Sequence, residues 1–490
     1  MRTTRSREIA EGGTVNKLKI GLLGVWYESF DEDLAKRIYR DSVASMTKLA
    51  AKWDFDLIAA DEATNDVAAC GDIRARFETS DVDMVLLQSS SFAAGEIVAI
   101  FADLGVPIGL WAVPEPETTG PLLLNSLCGV NLYAGILGTY LAERNVKYKW
   151  YYGLPDSEMF QDRFDPTIRA LKGIKALDGA KFANIGGTPE GYYDVYWNDG
   201  RLRSKFNITV DRHELTKILA QADALSKRDV KKVAEEIQAE VPSDGISTDE
   251  FMKLARVYIV IERLIQEHDY AGVGVACWPQ FQELYGLTAC TTLGRLNEKG
   301  HVAACEGDVP SAISMALLKA IGGDKPILMD LSALDISDDK IMLWHCGVGH
   351  PTWTEHCVQC RHTIIQAKGD DGVTRPAPAA YDMVLKASPV TLMRITDGGN
   401  RLLLATGETL GDTKPSARGT RGWAGNFKLN GEEPISSLEF INTVLVNGFE
   451  HHYPIAMGNL SDAILEFAAW MDIKPLEKVP YRPYLQRRTW

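Results

Sequence analysis

Residues 17–25, KLKIGLLGV, form an apolar run that predicts a buried strand, and the pattern that it opens decides the fold of the first part of the chain. Short apolar runs then alternate with amphipathic stretches, which predict strands at 56–60, 82–88 and 107–112 and helices at 34–53, 69–79 and 93–104. Nearly continuous apolar strands separated by helices are typical of a parallel sheet covered on both faces. The sequence therefore predicts a doubly wound, flavodoxin-like domain.

The turn after this first strand carries no dinucleotide-binding fingerprint. Residues 21–26 read GLLGVW, which lacks the Gly-x-Gly-x-x-Gly spacing that lets a backbone approach a pyrophosphate. We therefore expect no nicotinamide or flavin cofactor in this domain.

The rest of the chain changes character near residue 325. Before it, a buried strand is predicted at 271–277 and helices are predicted at 160–177, 215–239, 249–268 and 310–321. Beyond it, short alternating segments rich in Gly, Thr and Asp, such as 390–395 and 401–406, predict an antiparallel, barrel-like domain.

The predicted fold class is therefore α/β, with two flavodoxin-like or Rossmann-like α/β domains followed by a β-rich, barrel-like C-terminal domain. The predicted organisation is a disordered tail at 1–16, an N-terminal α/β domain at 17–150, a second α/β domain at 151–325 and the β-rich domain at 326–490.

The composition limits the classes of partner and the cellular compartment that we expect for this protein. The formal net charge of −14 argues against nucleic-acid binding, which needs clustered Lys and Arg. No apolar run is long enough for a membrane span, and the N-terminus lacks the apolar core of a signal peptide. Eight scattered cysteines fit a reducing compartment. We expect a cytoplasmic protein that binds neither nucleic acid nor membrane.

Two acidic residues mark the chemistry. Glu306 follows the apolar run 302–305 and precedes a predicted helix, which is where open α/β sheets place their ligands. Asp308 has an equally good interpretation as the cap of that helix. Asp330 ends the apolar run 326–329, and acids that close two strands separated by one helix can point to the same end of a sheet. Such a pair can share a metal ion.

The histidine pair His451-His452 is the third candidate. Neighbouring side chains of a strand face opposite sides, so only one imidazole is expected to reach a given site. Carboxylate oxygens together with an imidazole suit Mn²⁺ or Mg²⁺. A purely structural role for the pair is the alternative.

The segment 345–362 is rich in His and Cys and contains a Cys-x-x-Cys at Cys357 and Cys360. A zinc knuckle or a redox pair is one interpretation. The chain has no second Cys-x-x-Cys and no strand-to-helix context, which favours ordinary buried cysteines. Indoles that can line a sugar pocket or pack in the core are interleaved with these motifs, at Trp26, Trp278, Trp344, Trp353 and Trp423.

At these residues the chain resembles the L-fucose/L-arabinose isomerase family of metal-dependent aldose–ketose isomerases. The resemblance lies in Cys-Glu-Gly-Asp at 305–308, in Asp330, in LWHCG at 343–347 and in GFEHHY at 448–453. It implies that Glu306, Asp330 and His452 ligate Mn²⁺, with Mg²⁺ or Co²⁺ as alternatives. Glu306 and Asp330 are then also the catalytic acid and base.

The resemblance further implies a sugar substrate and a homo-oligomer, expected to be a hexamer, whose active site lies at a subunit interface. His345 matches an additional metal ligand of the arabinose branch. The fucose branch does not require this histidine as a ligand, which leaves a position beside the metal as the alternative for His345. Candidate substrate contacts are Trp26, which would come from a neighbouring subunit, His345, Trp423 and His451.

The predicted reaction interconverts an aldose of the L-fucose or D-arabinose type and its ketose through a cis-enediol. One alternative substrate is a sulfonated hexose such as sulfoquinovose, and candidate anion contacts are Arg361, Arg418 and Arg421. Alternatives of another class are a non-catalytic sugar-binding protein and a metal-dependent aldolase or lyase.

Overall fold

The computed structural model describes residues 17–369, 372–396 and 398–489. The predicted disordered tail at 1–16 lies outside them. The chain divides into two compact units, one ending at Lys172 and the other beginning at Gly173. Parallel α/β sheets occur in both units and a β-barrel follows in the second, which confirms the predicted fold class.

The first unit is built on one parallel sheet. Its strands are β1 (Leu18–Val25), β2 (Phe55–Ala59), β3 (Met84–Ser89), β4 (Ile108–Ala112) and β5 (Tyr148–Tyr152). Their order in the sheet is β2-β1-β3-β4-β5, which is the flavodoxin-like order. The helices are α1 (Glu32–Trp53), α2 (Val67–Thr79), α3 (Gly95–Ala102) and α4 (Ser126–Gly135), with α5 (Glu158–Leu177) after the last strand. The predicted boundary between 150 and 151 falls inside β5, which pairs with β4 along its length.

A second parallel sheet opens the second unit. Its strands are β6 (Lys181–Ile185), β7 (Thr209–His213), β8 (Tyr270–Val275) and β9 (Ala303–Ala304), in the order β7-β6-β8-β9. Its helices are α6 (Asp199–Phe206), α7 (Leu215–Ala224), α8 (Lys227–Glu240), α9 (Thr248–His268), α10 (Gln280–Tyr285), α11 (Cys290–Glu298) and α12 (Val309–Ile321).

The single helix predicted at 215–239 is wrong, because the chain forms two helices there. Leu225 takes an extended conformation with ψ 138° after α7, and the Ser226 hydroxyl caps α8 by accepting from Asp229 N. A serine at an N-cap satisfies a backbone donor that has no partner inside the helix.

The C-terminal part of the second unit is rich in strands. In chain order they are β10 (Ile327–Asp335), β11 (Lys340–His345), β12 (Cys357–Cys360), β13 (Gln366–Lys368), β14 (Thr374–Pro376), β15 (Ala380–Val384), β16 (Ser388–Thr396), β17 (Arg401–Thr409), β18 (Thr420–Leu429), β19 (Glu433–Pro434), β20 (His452–Met457) and β21 (Lys474–Pro475). Two helices complete this part, α13 (Ser437–Asn447) and α14 (Ser461–Trp470).

Six of these strands form the barrel. They pair in the cycle β18-β11-β10-β20-β16-β17, which closes where β17 pairs with β18. All of these pairs are antiparallel. Buried aliphatic and aromatic side chains fill the barrel, among them Ile327, Leu343, Leu392, Leu403 and Phe427.

The predicted boundary at 325/326 falls between α12 and β10. Among the described residues, no helix combines the length and the apolar character needed to cross a membrane.

Gly294 and Gly71 allow one matched test of the packing, because both lie inside helices. A Cβ added to Gly294 in α11 would sit 2.1 Å from the Gly349 carbonyl oxygen, whereas one added to Gly71 in α2 meets nothing within 4 Å. We expect Gly294→Ala to lower the free energy of unfolding by about 1–3 kcal/mol through overpacking. Gly71→Ala should raise it by roughly 0.5–1 kcal/mol, since alanine is the better helix former. Urea denaturation of both variants checks this, and equal effects would contradict the packing described.

Candidate active site

Glu306, Asp330 and His452, which are far apart in the sequence, are brought together in the second unit. His452 Nε2 lies 3.5 Å from Glu306 Oε2 and 3.8 Å from Asp330 Oδ1. The His452 side chain is 1% exposed, and those of Glu306 and Asp330 are 15% and 25% exposed. Two carboxylates therefore face one buried imidazole nitrogen.

Strand register positions two of these side chains. Asp330 in β10 and His452 in β20 are directly opposed in the antiparallel ladder. Opposed residues of an antiparallel pair project from the same face of the sheet. The register therefore sets the imidazole beside the Asp330 carboxylate.

Glu306 reaches the same point from the loop between β9 and α12. Its backbone is left-handed, with φ 57°, and Gly307 follows at φ 66°. A Cβ on Gly307 would lie 2.1 Å from the Gly187 carbonyl oxygen, so this position requires glycine. The Asn184 side-chain amide donates to the carbonyls of Gly187 and Gly307 and fixes the loop.

The prediction that both acids close strands at one end of the same sheet is wrong. Asp330 lies inside β10, which continues to Asp335 because it keeps pairing with β11. Glu306 follows β9 of the parallel sheet, whereas Asp330 belongs to the barrel. The cluster thus forms where the carboxyl end of one sheet meets a strand of another.

Asp308 sets the tautomer of His452. Its Oδ2 lies 2.9 Å from His452 Nδ1, and its Oδ1 accepts from Ser311 N at 2.8 Å as the cap of α12. Burial would raise the pKa of this carboxyl, but Arg394 and His452 hold it well below its usual range. A carboxylate at Nδ1 keeps the hydrogen there, so the lone pair of Nε2 faces Glu306 and Asp330.

Arg394 neutralises Asp308 in the fully buried interior. Its Nη1 donates to Asp308 Oδ2 at 2.8 Å and to the His452 carbonyl at 3.1 Å, and its Nε lies 3.2 Å from Glu450 Oε2. Burial raises the pKa of Glu450. The sequence interpretation missed Arg394, although a lone arginine within the apolar run 390–395 was a usable signal.

His451 also reaches Glu306, so the expectation that only one imidazole of the pair would do so is wrong. The residue precedes the first residue of β20, and strand alternation does not apply to it. Its Nε2 lies 3.3 Å from Glu306 Oε2, and its Nδ1 lies 2.7 Å from Asp194 Oδ2. The two histidine rings are 4.0 Å apart.

The charge of His451 follows from these partners. Burial works to lower the pKa of His451, but the hydrogen bonds with Asp194 and Glu306 raise it to about 10. The hydrogen bond from His451 in turn lowers the pKa of Asp194 to about 2. His451 is therefore an imidazolium at neutral pH, held between two carboxylates.

His345 lies at the end of β11 with its ring stacked on His452, the centroids 5.5 Å apart. Its Nδ1 accepts from Cys346 N at 2.8 Å. A neutral imidazole has one hydrogen, which must then be on Nε2. Nε2 is buried without a hydrogen-bond partner among the described residues, and a ring nitrogen of His345 lies within 4.8 Å of ligand atoms of Asp330 and His452. Of the two roles left open by the sequence, the geometry favours a hydrogen-bond donor beside the site over a metal ligand.

Tyr192 and Trp278 add an aromatic wall that the predicted site residues did not include. The Tyr192 ring lies 5.8 Å from that of His451 and 5.9 Å from that of Trp278. Burial, with Glu306 nearby, raises the pKa of Tyr192 to about 12. Trp278 is 38% exposed. Trp278 could have been predicted as a site residue, because it comes just after the strand β8. No feature of the sequence distinguishes Tyr192.

Trp423 and Trp26 are accounted for by local contacts. The Trp423 indole donates to the Pro415 carbonyl at 2.8 Å, and Lys414 Nζ lies 4.5 Å from its ring. Trp26 belongs to the first unit, is buried, and faces Lys36 Nζ at 5.2 Å. The roles of both indoles as substrate contacts stay predictions.

The three arginines considered as anion contacts are paired with carboxylates. Arg361 Nη2 lies 2.9 Å from Glu250 Oε1, and Arg418 and Arg421 both pair with Asp382. Cys357 and Cys360 are buried on β12, in agreement with the interpretation as ordinary buried cysteines. Within the part of the chain that the structure describes, neither joins a cluster of possible metal ligands.

The chemistry of the donor set fits a divalent cation. Arg394 is shared by Asp308 and Glu450, and the His451 imidazolium is shared by Asp194 and Glu306, so the carboxylates around the cluster outnumber the cations. Asp330 Oδ1 is buried without a hydrogen-bond partner among the described residues. A divalent ion would balance the charges and occupy that oxygen, and Glu306, Asp330 and His452 are the residues that would hold it.

Comparison with known proteins adds four relatives of one description. The chain is 26% identical over 451 residues to the sulfoquinovose isomerases of Priestia aryabhattai and of Priestia megaterium, covering 91% of this chain and 96% of each relative. It is 27% identical over 403 residues to the sulfoquinovose isomerase of Alkalicoccus urumqiensis, covering 81% of this chain and 87% of that protein. No family model matches the chain. Membership of the L-fucose/L-arabinose isomerase family stays a prediction.

Among solved structures, an ABC transporter solute-binding protein from Bacillus halodurans C-125 with bound myo-inositol is 14% identical and has a TM-score of 0.17. The matched region covers 64% of this chain and 92% of the solute-binding protein. At this TM-score the likeness carries no argument about fold or function.

Proposed function

We propose that this protein is a metal-dependent aldose–ketose isomerase and that its substrate is a sulfonated hexose of the sulfoquinovose type. The convergence of Glu306, Asp330 and His452 on one point carries the proposal of metal-assisted isomerisation. The relatives named sulfoquinovose isomerase, similar over most of their own length, support the reaction and favour the sulfonated sugar over an L-fucose or D-arabinose type of substrate.

Glu306 and Asp330 are the proposed proton-transfer groups. Isomerisation removes a proton from C2 of the open-chain aldose and places one on the carbonyl oxygen at C1, which gives a cis-enediol. Return of a proton to C1 and loss of the hydroxyl proton at O2 complete the ketose. A carboxylate can serve as base in one half and as acid in the other when it lies within hydrogen-bond reach.

The ion has one task in this scheme. Mn²⁺, with Mg²⁺ or Co²⁺ as alternatives, supplies electrostatic stabilisation of the negative charge that develops on the substrate oxygens.

Neighbouring side chains would prepare the two acids for this task. Burial opposes ionisation of Glu306, but the hydrogen bond from the His451 imidazolium lowers the pKa of Glu306, which keeps it a carboxylate able to accept a proton. The Asp194–His451 pair fixes the direction of that carboxylate through the contact of 3.3 Å. Tyr192 and Trp278 supply aromatic rings beside His451, and such rings pack against the C–H groups of sugars.

Two alternatives of another type remain distinguishable. A non-catalytic sugar-binding protein has no need of two carboxylates and an imidazole in one cluster, and it would show no turnover. A metal-dependent aldolase or lyase shares the enediolate but changes the carbon count of the product. The hexamer, with Trp26 of a neighbouring subunit at the pocket, is proposed from the resemblance alone.

A substrate panel tests the proposed function. We expect the purified protein with Mn²⁺ to convert sulfoquinovose to its ketose, to act more slowly on L-fucose and D-arabinose, and to lose activity on chelation. Chromatography with mass detection identifies the ketose and its carbon count. Equal turnover before and after complete metal removal would contradict the metal-dependent mechanism, and binding without turnover would favour the sugar-binding protein.

Substitution of either acid tests the proton-transfer assignment. Glu306→Gln and Asp330→Asn keep shape but remove a base and a ligand, so turnover should fall by a factor of about 10²–10⁴. The unfolding transition should change little, because both side chains are partly exposed. Asp335→Asn is the matched control, since Asp335 lies on the same strand and pairs with Lys414 instead. More than a tenth of wild-type activity in either acid variant would argue against the assignment.

Asp308→Asn tests how His452 is oriented. An amide can present its N–H to Nδ1 and allow the other tautomer, so the affinity for Mn²⁺ should fall by roughly 10–100-fold, as for other partners of metal-binding histidines. Calorimetric titration with Mn²⁺ measures the affinity of the folded variant. Ser311→Ala is the control, because it removes a hydrogen bond to the same carboxylate without touching His452. Equal affinities in the two variants would show that Asp308 does not act through His452.

A further inference from the structure

Four cysteine sulfurs form a row beside the proposed active site, and the isomerisation chemistry uses none of them. Cys277 Sγ lies 2.7 Å from Cys305 Sγ, and Cys290 Sγ lies 3.9 Å from Cys346 Sγ. Cys305 and Cys346 offer sulfurs within 4.8 Å of each other. Cys277, Cys290 and Cys305 are buried, whereas Cys346 is half-buried. Cys346, which lies between Cys305 and Cys290, is therefore the accessible member of the row.

The backbone holds Cys277 and Cys305 in a geometry suited to a covalent link. They follow the neighbouring parallel strands β8 and β9, whose register pairs Val273 with Ala303 and Gly274 with Ala304. Their sulfurs are only about 0.7 Å further apart than the roughly 2.0 Å of a disulfide bond. The two thiols are therefore close enough in space to be candidates for a disulfide.

Thiol chemistry fits this row better than a second metal ion does. His362 Nδ1 accepts from Ile364 N and Ile365 N, at 3.1 and 2.8 Å, so the ring carries its hydrogen on Nε2. A ring nitrogen of His362 lies within 4.8 Å of the Cys290 and Cys346 sulfurs, and Nε2 is buried without a hydrogen-bond partner among the described residues. With its hydrogen on Nε2, this nitrogen can donate to a sulfur and has no lone pair to give a metal.

We propose that these cysteines are an oxidation site for a peroxide, with a reversible disulfide between Cys277 and Cys305 as its product. The Cys346 sulfur attacks the peroxide, which breaks the O–O bond and gives a sulfenic acid and water. Cys305 then attacks that sulfenic sulfur, which forms a Cys305–Cys346 disulfide and releases a second water. Cys277 attacks Cys305 and displaces Cys346 as a thiol. In total two thiols are oxidised, the peroxide is reduced to water, and Cys346 is regenerated.

The disulfide would affect the proposed active site through the backbone, because Cys305 and Glu306 are neighbours in the sequence. Cys305 directly precedes Glu306, whose left-handed backbone leaves little freedom to absorb a shift. The link ties the loop that carries Glu306 to the segment before Trp278. Oxidation should therefore reduce isomerase activity, and dithiothreitol should restore it. This consequence rests on the proposed function, whereas the disulfide itself does not.

Peptide mapping of the full wild-type chain is the decisive measurement. The reduced protein is treated with hydrogen peroxide, alkylated and digested with trypsin without reduction. Cys277 and Cys290 fall in peptide 264–295, Cys305 in 300–319 and Cys346 in 341–361. We expect 264–295 linked to 300–319, with the link removed by dithiothreitol. Absence of this link, or irreversible oxidation of Cys346 alone, would overturn the proposal.

Single substitutions identify the route. Cys290→Ser should keep the link, Cys277→Ser should replace it with one between 300–319 and 341–361, and Cys346→Ser should slow its formation. Cys357→Ser is the matched control, a buried cysteine outside the row, and should behave as wild type. Persistence of the original link in Cys277→Ser would assign it to Cys290 and refute the proposed pair. A link that forms without any change in turnover would leave the modification site standing and refute its effect on Glu306.

Discussion

The buried ion pair of Asp308 and Arg394 is the interaction on which the rest of the site depends. Both side chains have no exposure to solvent, and they join the N-cap of α12 to barrel strand β16. Removing one partner of such a pair costs about 3–5 kcal/mol, because the other charge is left without compensation. The Asp308 carboxylate of this pair has a second role, because it also orients His452. Structural and chemical roles are thus carried by one group.

Much of this arrangement was predictable from the sequence, and the limits have physical causes. The acids at the predicted strand ends, together with the resemblance to a family whose matching residues are metal ligands, were enough to predict Glu306, Asp330 and His452. The barrel was predictable from its alternating segments. Arg394 was missed because its partner lies on another element, and tertiary contacts leave no local periodicity. One helix was predicted at 215–239 because the helical pattern is continuous there, but the cap at Ser226 starts a second helix.

The placement of the site was predicted less well than its members. The sequence suggested one sheet end with two acids, as in an open α/β domain. The structure instead joins two kinds of sheet, with the loop after β9 supplying Glu306 and the barrel supplying Asp330 and His452. His451 shows the same limit on a smaller scale, because one residue decides whether strand alternation applies to it. Periodicity in the sequence predicts single helices and strands, whereas the candidate site lies at a junction between two sheets.

Asp330 and His452 face each other across β10 and β20, so the candidate site can form only when these two strands pair in the correct register. Side chains alternate with a period of two, so a slip of β20 by one residue would turn His452 to the other face and carry its buried neighbours with it. The same register of β20 is consequently required both to bury the hydrophobic side chains and to bring the candidate metal ligands together. Selection for catalysis in such a protein also selects for correct barrel assembly, without any separate device to enforce it.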